Sequence, residues 1–316
     1  MTKQIFPIVN EAEWLKLRVE DITSTEVSAL YGLSPYSSEF EIFHQKKDKQ
    51  VVTLEPNERM KWGNRLEAAI AHGAAEEMGW TIEPMKVYIR DADLRMGSSF
   101  DFKIIDPVKG DGIMEVKNVD GIQYARNWID DGEGNIEAPE HIELQVQHEM
   151  EVADLDWAAI VVLVGGNTQK IAFRKRDKAI GADLRKRVAE FWKKVEQGIA
   201  PSPDYTLDAE YIIKQLRTES DPDLIMDAGE ELQELIKKYS FVKKEANDMD
   251  KLATQLKAQI LDMIGTASKV ITPFGTLSCS TTKPSQGKLV TPDMIGTYIG
   301  ARAGFRNFRY TAKKEK

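Results

Sequence analysis

Residues 94–118, LRMGSSFDFKIIDPVKGDGIMEVKN, decide how the fold is read. They predict two short strands, Leu94–Ile105 and Gly110–Asn118, joined by a turn that Asp106, Pro107, Gly110 and Gly112 favour. The first strand carries Asp101, and the second carries Glu115 and Lys117 two residues apart. Side chains at i and i+2 of a strand share a face, so Glu115 and Lys117 project together. If the turn folds the strands antiparallel, Asp101 meets them. Two acids and a lysine on one sheet face suit a divalent-metal site beside a basic group, a constellation fitted to phosphodiester hydrolysis. That reaction needs a hydroxide nucleophile, neutralised phosphate charge and help for the leaving oxygen, and two divalent cations roughly 4 Å apart supply all three. Hard cations such as Mg²⁺, with Mn²⁺ as a substitute, take oxygen ligands. Asp101 and Glu115 are then the main ligands, with the Val116 carbonyl as another, and Lys117 positions or deprotonates the attacking water.

The flanks extend this into a domain. Glu58–Met78 reads as a long helix with an apolar stripe of Met60, Leu66, Ala69, Ile70, Gly73 and Ala74. Glu67 lies beside that stripe, either a solvated edge residue or a carboxylate aimed at the site. Trp80–Ile89 reads as a strand, and 121–138 as a short helix and a flexible loop. Pro139 starts a helix bearing Gln145 and Gln147, of which Gln147 is assigned to hold Lys117 or the water. Trp157–Gly165 is a near-continuous apolar run, as in a strand buried on both faces. A Gly-Gly-Asn turn leads from it into Thr168–Phe173, and Asp177–Gln197 is a basic helix.

Toward the N-terminus, Asn10 caps a helix over 10–20 in which Trp14 and Arg18 share a face, and Ser24 or Thr25 caps a second helix ending near Gly32. A forked cation beside a helix N-terminus is a phosphate-binding pair, and a surface arginine beside a simple cap is the plainer alternative. Residues 168–200 hold ten Lys/Arg against four Asp/Glu, either a solvated helix face or a track for a phosphate backbone. His148 is read as structural.

PSPD at 201–204 marks a boundary. Two domains are expected, 1–200 around the acids and 205–316 as a helical extension with a short β-hairpin and a basic tail. From Leu232 to Met263 apolar residues recur at spacings of three and four, a heptad pattern that calls for a partner helix. The hairpin is placed at Lys269–Thr282. The tail mixes Arg302, Arg306, Arg309 and Lys313 with Phe305, Phe308 and Tyr310, either a grip on DNA or a solvated end.

Bulk properties narrow the class. A net charge of −8 argues against a protein that coats nucleic acid but not against an enzyme with a local basic channel. No run of 18 apolar residues suggests a membrane span, and the N-terminus lacks a signal-peptide pattern. One cysteine, Cys279, excludes an intrachain disulfide framework and a four-cysteine iron–sulfur or zinc site. A cytoplasmic location is expected, that of a bacterial host if a phage or prophage encodes the chain. No GxxxxGK[ST] is present, and no GxGxxG opens a helix.

The segments WLKLRVEDITSTEV (14–27), WGNRLE (62–67), MGSSFDF (96–102), EVK (115–117) and QVQHEM (145–150) occur in an α-β-β-β-α-β order. In that order and spacing the chain resembles the YqaJ-type viral recombinase family of the PD-(D/E)XK nuclease superfamily, whose familiar member is the phage lambda exonuclease. The resemblance covers about residues 10–195. It implies an α/β restriction-endonuclease-like core, a central mixed sheet flanked by helices, and a metal-dependent 5′→3′ exonuclease. Such an enzyme degrades one strand of linear duplex DNA and leaves a 3′ single-stranded tail. It implies Glu67, Asp101, Glu115, Lys117 and Gln147 as the active-site set, Glu67 also sharing a cation. Arg18 and Thr25 fall where the family binds the 5′-phosphate, and Met60 and Trp62 near its strand-separating region. It further implies a ring-shaped homo-oligomer that works with a single-strand annealing protein. Phe100 replaces the proline of the superfamily motif, and 205–316 extends beyond the compact lambda-type enzyme. The competing readings are a structure-specific or restriction-type endonuclease on the same core and a non-catalytic DNA-binding assembly protein.

Overall fold

The computed structural model describes residues 2–51 and 56–281. In chain order the elements begin with β1 (Lys3–Pro7), α1 (Glu11–Val19), β2 (Ile22–Thr23), a 3₁₀ turn (Val27–Tyr31), α2 (Glu39–Lys47) and α3 (Glu58–Met78). Strands β3 (Thr81–Pro84), β4 (Val87–Asp91), β5 (Met96–Ser99), β6 (Phe102–Asp106) and β7 (Gly110–Val119) follow. Then come α4 (Gly121–Asn127), β8 (Ile129–Asp130), β9 (Ile136–Glu137), α5 (Glu140–Ala153), β10 (Trp157–Val164), β11 (Thr168–Lys175) and α6 (Lys178–Gln197). The chain continues through α7 (Ala209–Tyr211), a π turn (Ile212–Leu216), α8 (Glu230–Ile264), β12 (Lys269–Thr272) and β13 (Gly275–Ser278). It divides into two compact units, Met1–Leu216 and Arg217–Lys316.

The first unit is built on a five-stranded mixed sheet in the order β11-β10-β7-β6-β3. Strands β3, β6 and β7 are antiparallel neighbours, β7 and β10 are parallel, and α5 makes the crossover between them. This mixed sheet flanked by helices is the α/β core that the sequence leads one to expect. The apolar run of β10 divides by alternation, because successive side chains of a strand point to opposite faces. Ala158, Ile160 and Val162 join the core beneath α5 and α6, while Trp157, Ala159 and Val161 join the core beneath α3.

A four-stranded sheet, β1-β4-β5-β2, lies in the same unit. The single strands expected at Trp80–Ile89 and Leu94–Ile105 are therefore each two strands, one per sheet. The first breaks after Pro84, and a proline cannot donate to a ladder. The second breaks at Phe100–Asp101, so Asp101 sits in the junction and not within a strand.

Other differences are local. The turn at Val27–Tyr31 is a five-residue 3₁₀ helix with no side-chain cap, so neither Ser24 nor Thr25 caps a helix there. Helix α3 buries Ile70, Ala71, Ala74 and Ala75, while Met60, Ala69 and Gly73 face outward. The loop expected after 127 contains the β8–β9 hairpin, and Pro139 precedes α5 as its N-cap. Residues 201–216 belong with the first unit, where Tyr211 is buried and Asp208 accepts a hydrogen bond from Ser38 Oγ. In the second unit α8 and an antiparallel β12–β13 hairpin occupy the expected places. The basic tail from Ala301 lies outside the described residues. Among the described residues no helix is long and apolar enough to cross a membrane.

Candidate active site

Pairing of β6 with β7 ends at Phe102–Met114, and the chain before Phe102 turns away toward the other sheet. The next backbone donor on that side of β7, the Val116 N–H, is taken by Asp101 Oδ2 at 2.8 Å. The N–H and C=O of one strand residue point the same way, so the Val116 carbonyl faces the gap that Asp101 fills. Glu115 and Lys117 project from β7 together, as the period of two requires, with Lys117 Nζ 2.5 Å from Glu115 Oε1. Glu115 is buried, at 4% exposure.

Helix α5 supplies the other wall. Gln145 Nε2 donates to Glu115 Oε1 at 2.7 Å and to Glu149 Oε1 at 3.0 Å, and its Oε1 accepts from Lys117 Nζ at 3.2 Å. Gln147 is elsewhere: it donates to the Lys175 carbonyl and accepts from the Asp177 N–H, both at 2.9 Å, tying β11 to the start of α6. The assignment of Gln147 to the lysine or water is therefore corrected to Gln145. Two residues along a helix is a rotation of about 200°, so the two glutamines face nearly opposite ways. The same periodicity puts Gln145 and Glu149, at i and i+4, on one face. That spacing is the signal that could have found both. Glu149 is completely buried, and its second carboxylate oxygen has no hydrogen-bond partner.

These acids share one electrostatic environment. Burial pushes the Asp101 carboxyl well above the usual range, and Glu115 and Glu67 push it further. Burial and then Glu115 do the same to Glu149. Glu67 on α3 is partly buried, and its carboxyl is raised by burial and then by Glu115. Burial opposes the charge of Lys117, but Glu115, Asp101 and Glu149 together outweigh it and hold the ammonium above the ordinary lysine range. The cluster thus holds four carboxyl groups against one lysine. Buried acids short of positive charge, all with oxygen donors, fit a hard divalent cation. Among the described residues no three His, Cys, Asp or Glu side chains stand close enough to hold an ion together. The donors that fit are Asp101, Glu115 and the Val116 carbonyl, with Glu67 at the margin.

Arg18 and Thr25 do meet. Arg18 Nη2 donates to Thr25 Oγ1 at 3.0 Å, and the guanidinium lies 4.8 Å from the Trp14 ring centroid. Lys46 anchors this corner from beneath, on Glu26 at 2.9 Å and the Arg18 carbonyl at 2.8 Å. Strand β2 pairs with β5, and Ser98 Oγ donates to Ser24 Oγ at 2.8 Å, so this corner is fastened to the strand that leads into Asp101. Met60 and Trp62 are exposed on the first turns of α3, before Glu67, with Arg65 5.0 Å from the Trp62 ring. Much of the basic excess at 168–200 is engaged in ion pairs. Arg176 pairs with Glu151 and Asp154, Arg185 with Asp91 and Glu151, and Lys194 with Glu39. His148 is buried, and its imidazole is depressed to about 4 by that burial, consistent with a structural role.

The mixed sheet thus carries an acid at a strand junction and Glu-x-Lys on the next strand. Residues 13–156 match the family model of the YqaJ-like viral recombinase domain. The uncharacterized protein YqaJ of Bacillus subtilis (strain 168) is 26% identical over 251 residues, 78% of this chain and 76% of that one. The crystal structure of an alkaline exonuclease (LHK-Exo) from Laribacter hongkongensis is 19% identical, with a TM-score of 0.46, covering 60% of this chain and 94% of that one. That of a phage-related exonuclease from Haemophilus somnus 129PT is 15% identical, with a TM-score of 0.39, covering 57% and 95%.

Proposed function

We propose that this chain is a metal-dependent nuclease that hydrolyses one strand of linear double-stranded DNA from its 5′ end. The 3′ single-stranded tail it leaves is a substrate for strand annealing in phage-type recombination. The observation that carries the reading is the cluster of Asp101, Glu115, Lys117 and Gln145 at the point where β6 stops pairing with β7. Asp101, Glu115 and the Val116 carbonyl would hold Mg²⁺ or Mn²⁺, and Glu67 would share a second ion. When bound, the cation supplies a water of lowered pKa and neutralises phosphate charge. Lys117 holds the attacking water in line and balances charge on the phosphate. Gln145 fixes Lys117 and Glu115 in one rotamer each. Arg18 and Thr25, fastened to β5, receive the 5′-phosphate. Met60 and Trp62 are placed to meet the duplex where its strands part. A ring of identical subunits and a single-strand annealing protein complete the proposal.

The test uses linear 5′-phosphorylated duplex, the same duplex with a 5′-hydroxyl, and covalently closed circles, each with Mg²⁺. Cleavage of the linear duplex alone, slower on the 5′-hydroxyl, is expected. Glu115→Ala and Lys117→Ala should bind DNA and not cut. Cutting of closed circles would establish an endonuclease, and full-rate cutting by both variants would show that the site is elsewhere.

A further inference from the structure

Helix α8 carries an apolar seam that the described residues leave in solvent. From Leu232 to Met263 apolar side chains occupy both core positions of five successive heptads, with Ile236, Phe241, Leu252 and Leu261 off them, and each of the ten at the core positions is exposed, Val242 by 62% and Met263 by 85%. A contiguous exposed seam along a helix of 35 residues, about 52 Å, marks an interaction surface.

The charges beside the seam say what covers it. With Leu232 and Leu235 as the first a and d positions, the e positions include Lys243 and Asp250, and the g positions include Lys238 and Glu245. In a parallel pair of identical helices, g of one faces the following e of the other. Lys238 would then oppose Lys243 and Glu245 would oppose Asp250, each twice by symmetry. In an antiparallel pair e faces e, and Lys243 opposes Asp250 twice, both contacts attractive. The apolar layers agree with the second arrangement. Leu232 meets Met263, Tyr239 meets Leu256 and Ala246 meets Met249, all about one centre between Asn247 and Asp248. Each small alanine faces a larger side chain there, where a parallel pair would stack alanine on alanine and leave voids.

We propose that α8 pairs antiparallel with α8 of a second copy of this chain. The pairing is independent of the nuclease reading, because no residue of the acid cluster takes part.

The test uses the full chain with Cys279→Ser. Oxidised Ala246→Cys/Met249→Cys should give a covalent dimer, and Ala246→Cys alone should not. Lys243→Glu should weaken association about ten-fold, since two attractions become repulsions, and adding Asp250→Lys should restore it. Cross-linking by Ala246→Cys alone, with association tightened by Lys243→Glu, would mean a parallel pair and overturn the proposal. So would an unchanged molar mass by light scattering when Leu235→Asp and Leu256→Asp are introduced together. That result would mean that the seam is covered by another segment of this chain or by a different partner.

Discussion

Gln145 and Gln147 stand two residues apart and are expected to fail in opposite ways when cut back to alanine. Gln145 bonds to three groups, of which Glu115 at 2.7 Å and Lys117 at 3.2 Å carry the proposed chemistry. A hydrogen bond to a charged partner is worth about 1.5–3 kcal/mol. Losing one that is needed at the transition state corresponds to a rate loss of roughly 10- to 100-fold. Glu149 also loses its bond from Gln145, and its carboxyl is already raised by burial and by Glu115. Gln147 instead makes two bonds to backbone, at the Lys175 carbonyl and the Asp177 N–H. Their loss costs about 2 kcal/mol, or about 4–8 °C of melting temperature for a unit of this size, with little change in rate below the transition. Thermal melts and initial rates of Mg²⁺-dependent cleavage, measured on the same preparations, separate the two. A Gln147→Ala protein that melts normally but cuts slowly, beside a Gln145→Ala protein that cuts at full rate, would refute the assignment.

Two further outcomes concern stability. His148 is buried and held at about 4, against about 6.5 when unfolded, so protons bind the unfolded chain first as pH falls. Its contribution is intact above pH 6.5 and is lost on the way down to pH 4, roughly 3 kcal/mol in all. Urea unfolding of the wild type and of His148→Leu at several pH values should show a shallower acid slope in the variant, and equal slopes would contradict this. Gly112 on β7 lies against the Trp157 indole, where a Cβ would come within 2.6 Å of Cζ2. Gly112→Ala should therefore lower the melting midpoint by several degrees, a cost of about 1–3 kcal/mol from overpacking, and an unchanged midpoint would show that the indole yields freely.

Much of the site was legible because strand periodicity is strict. Glu115 and Lys117 had to share a face once β7 was a strand, and β10 had to be buried on both sides. Where the reading failed, the missing information was tertiary. Leu94–Ile105 alternates well enough to pass for one strand, and only the presence of two sheets explains the break at Phe100–Asp101. The choice between Gln145 and Gln147 needed the rotation of α5 about its axis, which a two-residue motif does not fix. Glu149 escaped notice because an acid between His148 and Met150 looks like an ordinary helix residue until its burial is seen. The basic run at 168–200 leaves a solvated face and a phosphate track both open from the sequence, because its carboxylate partners, Glu39, Asp91 and Glu151, are distant in sequence.

The break at Phe100–Asp101 also sets a dimension. Thr23 pairs with Gly97, and four residues later the chain reaches Asp101, a span of at most about 14 Å. Arg18 and Thr25 are anchored at one end of that span, and the acid that grips the Val116 N–H stands at the other. Covalent backbone therefore works as a gauge between the place where a strand end would be seated and the place where it would be cut. Such a gauge would keep successive products equal in size whatever the base sequence, and a residue inserted between Ser99 and Phe102 would put it out of calibration while leaving both of its ends intact.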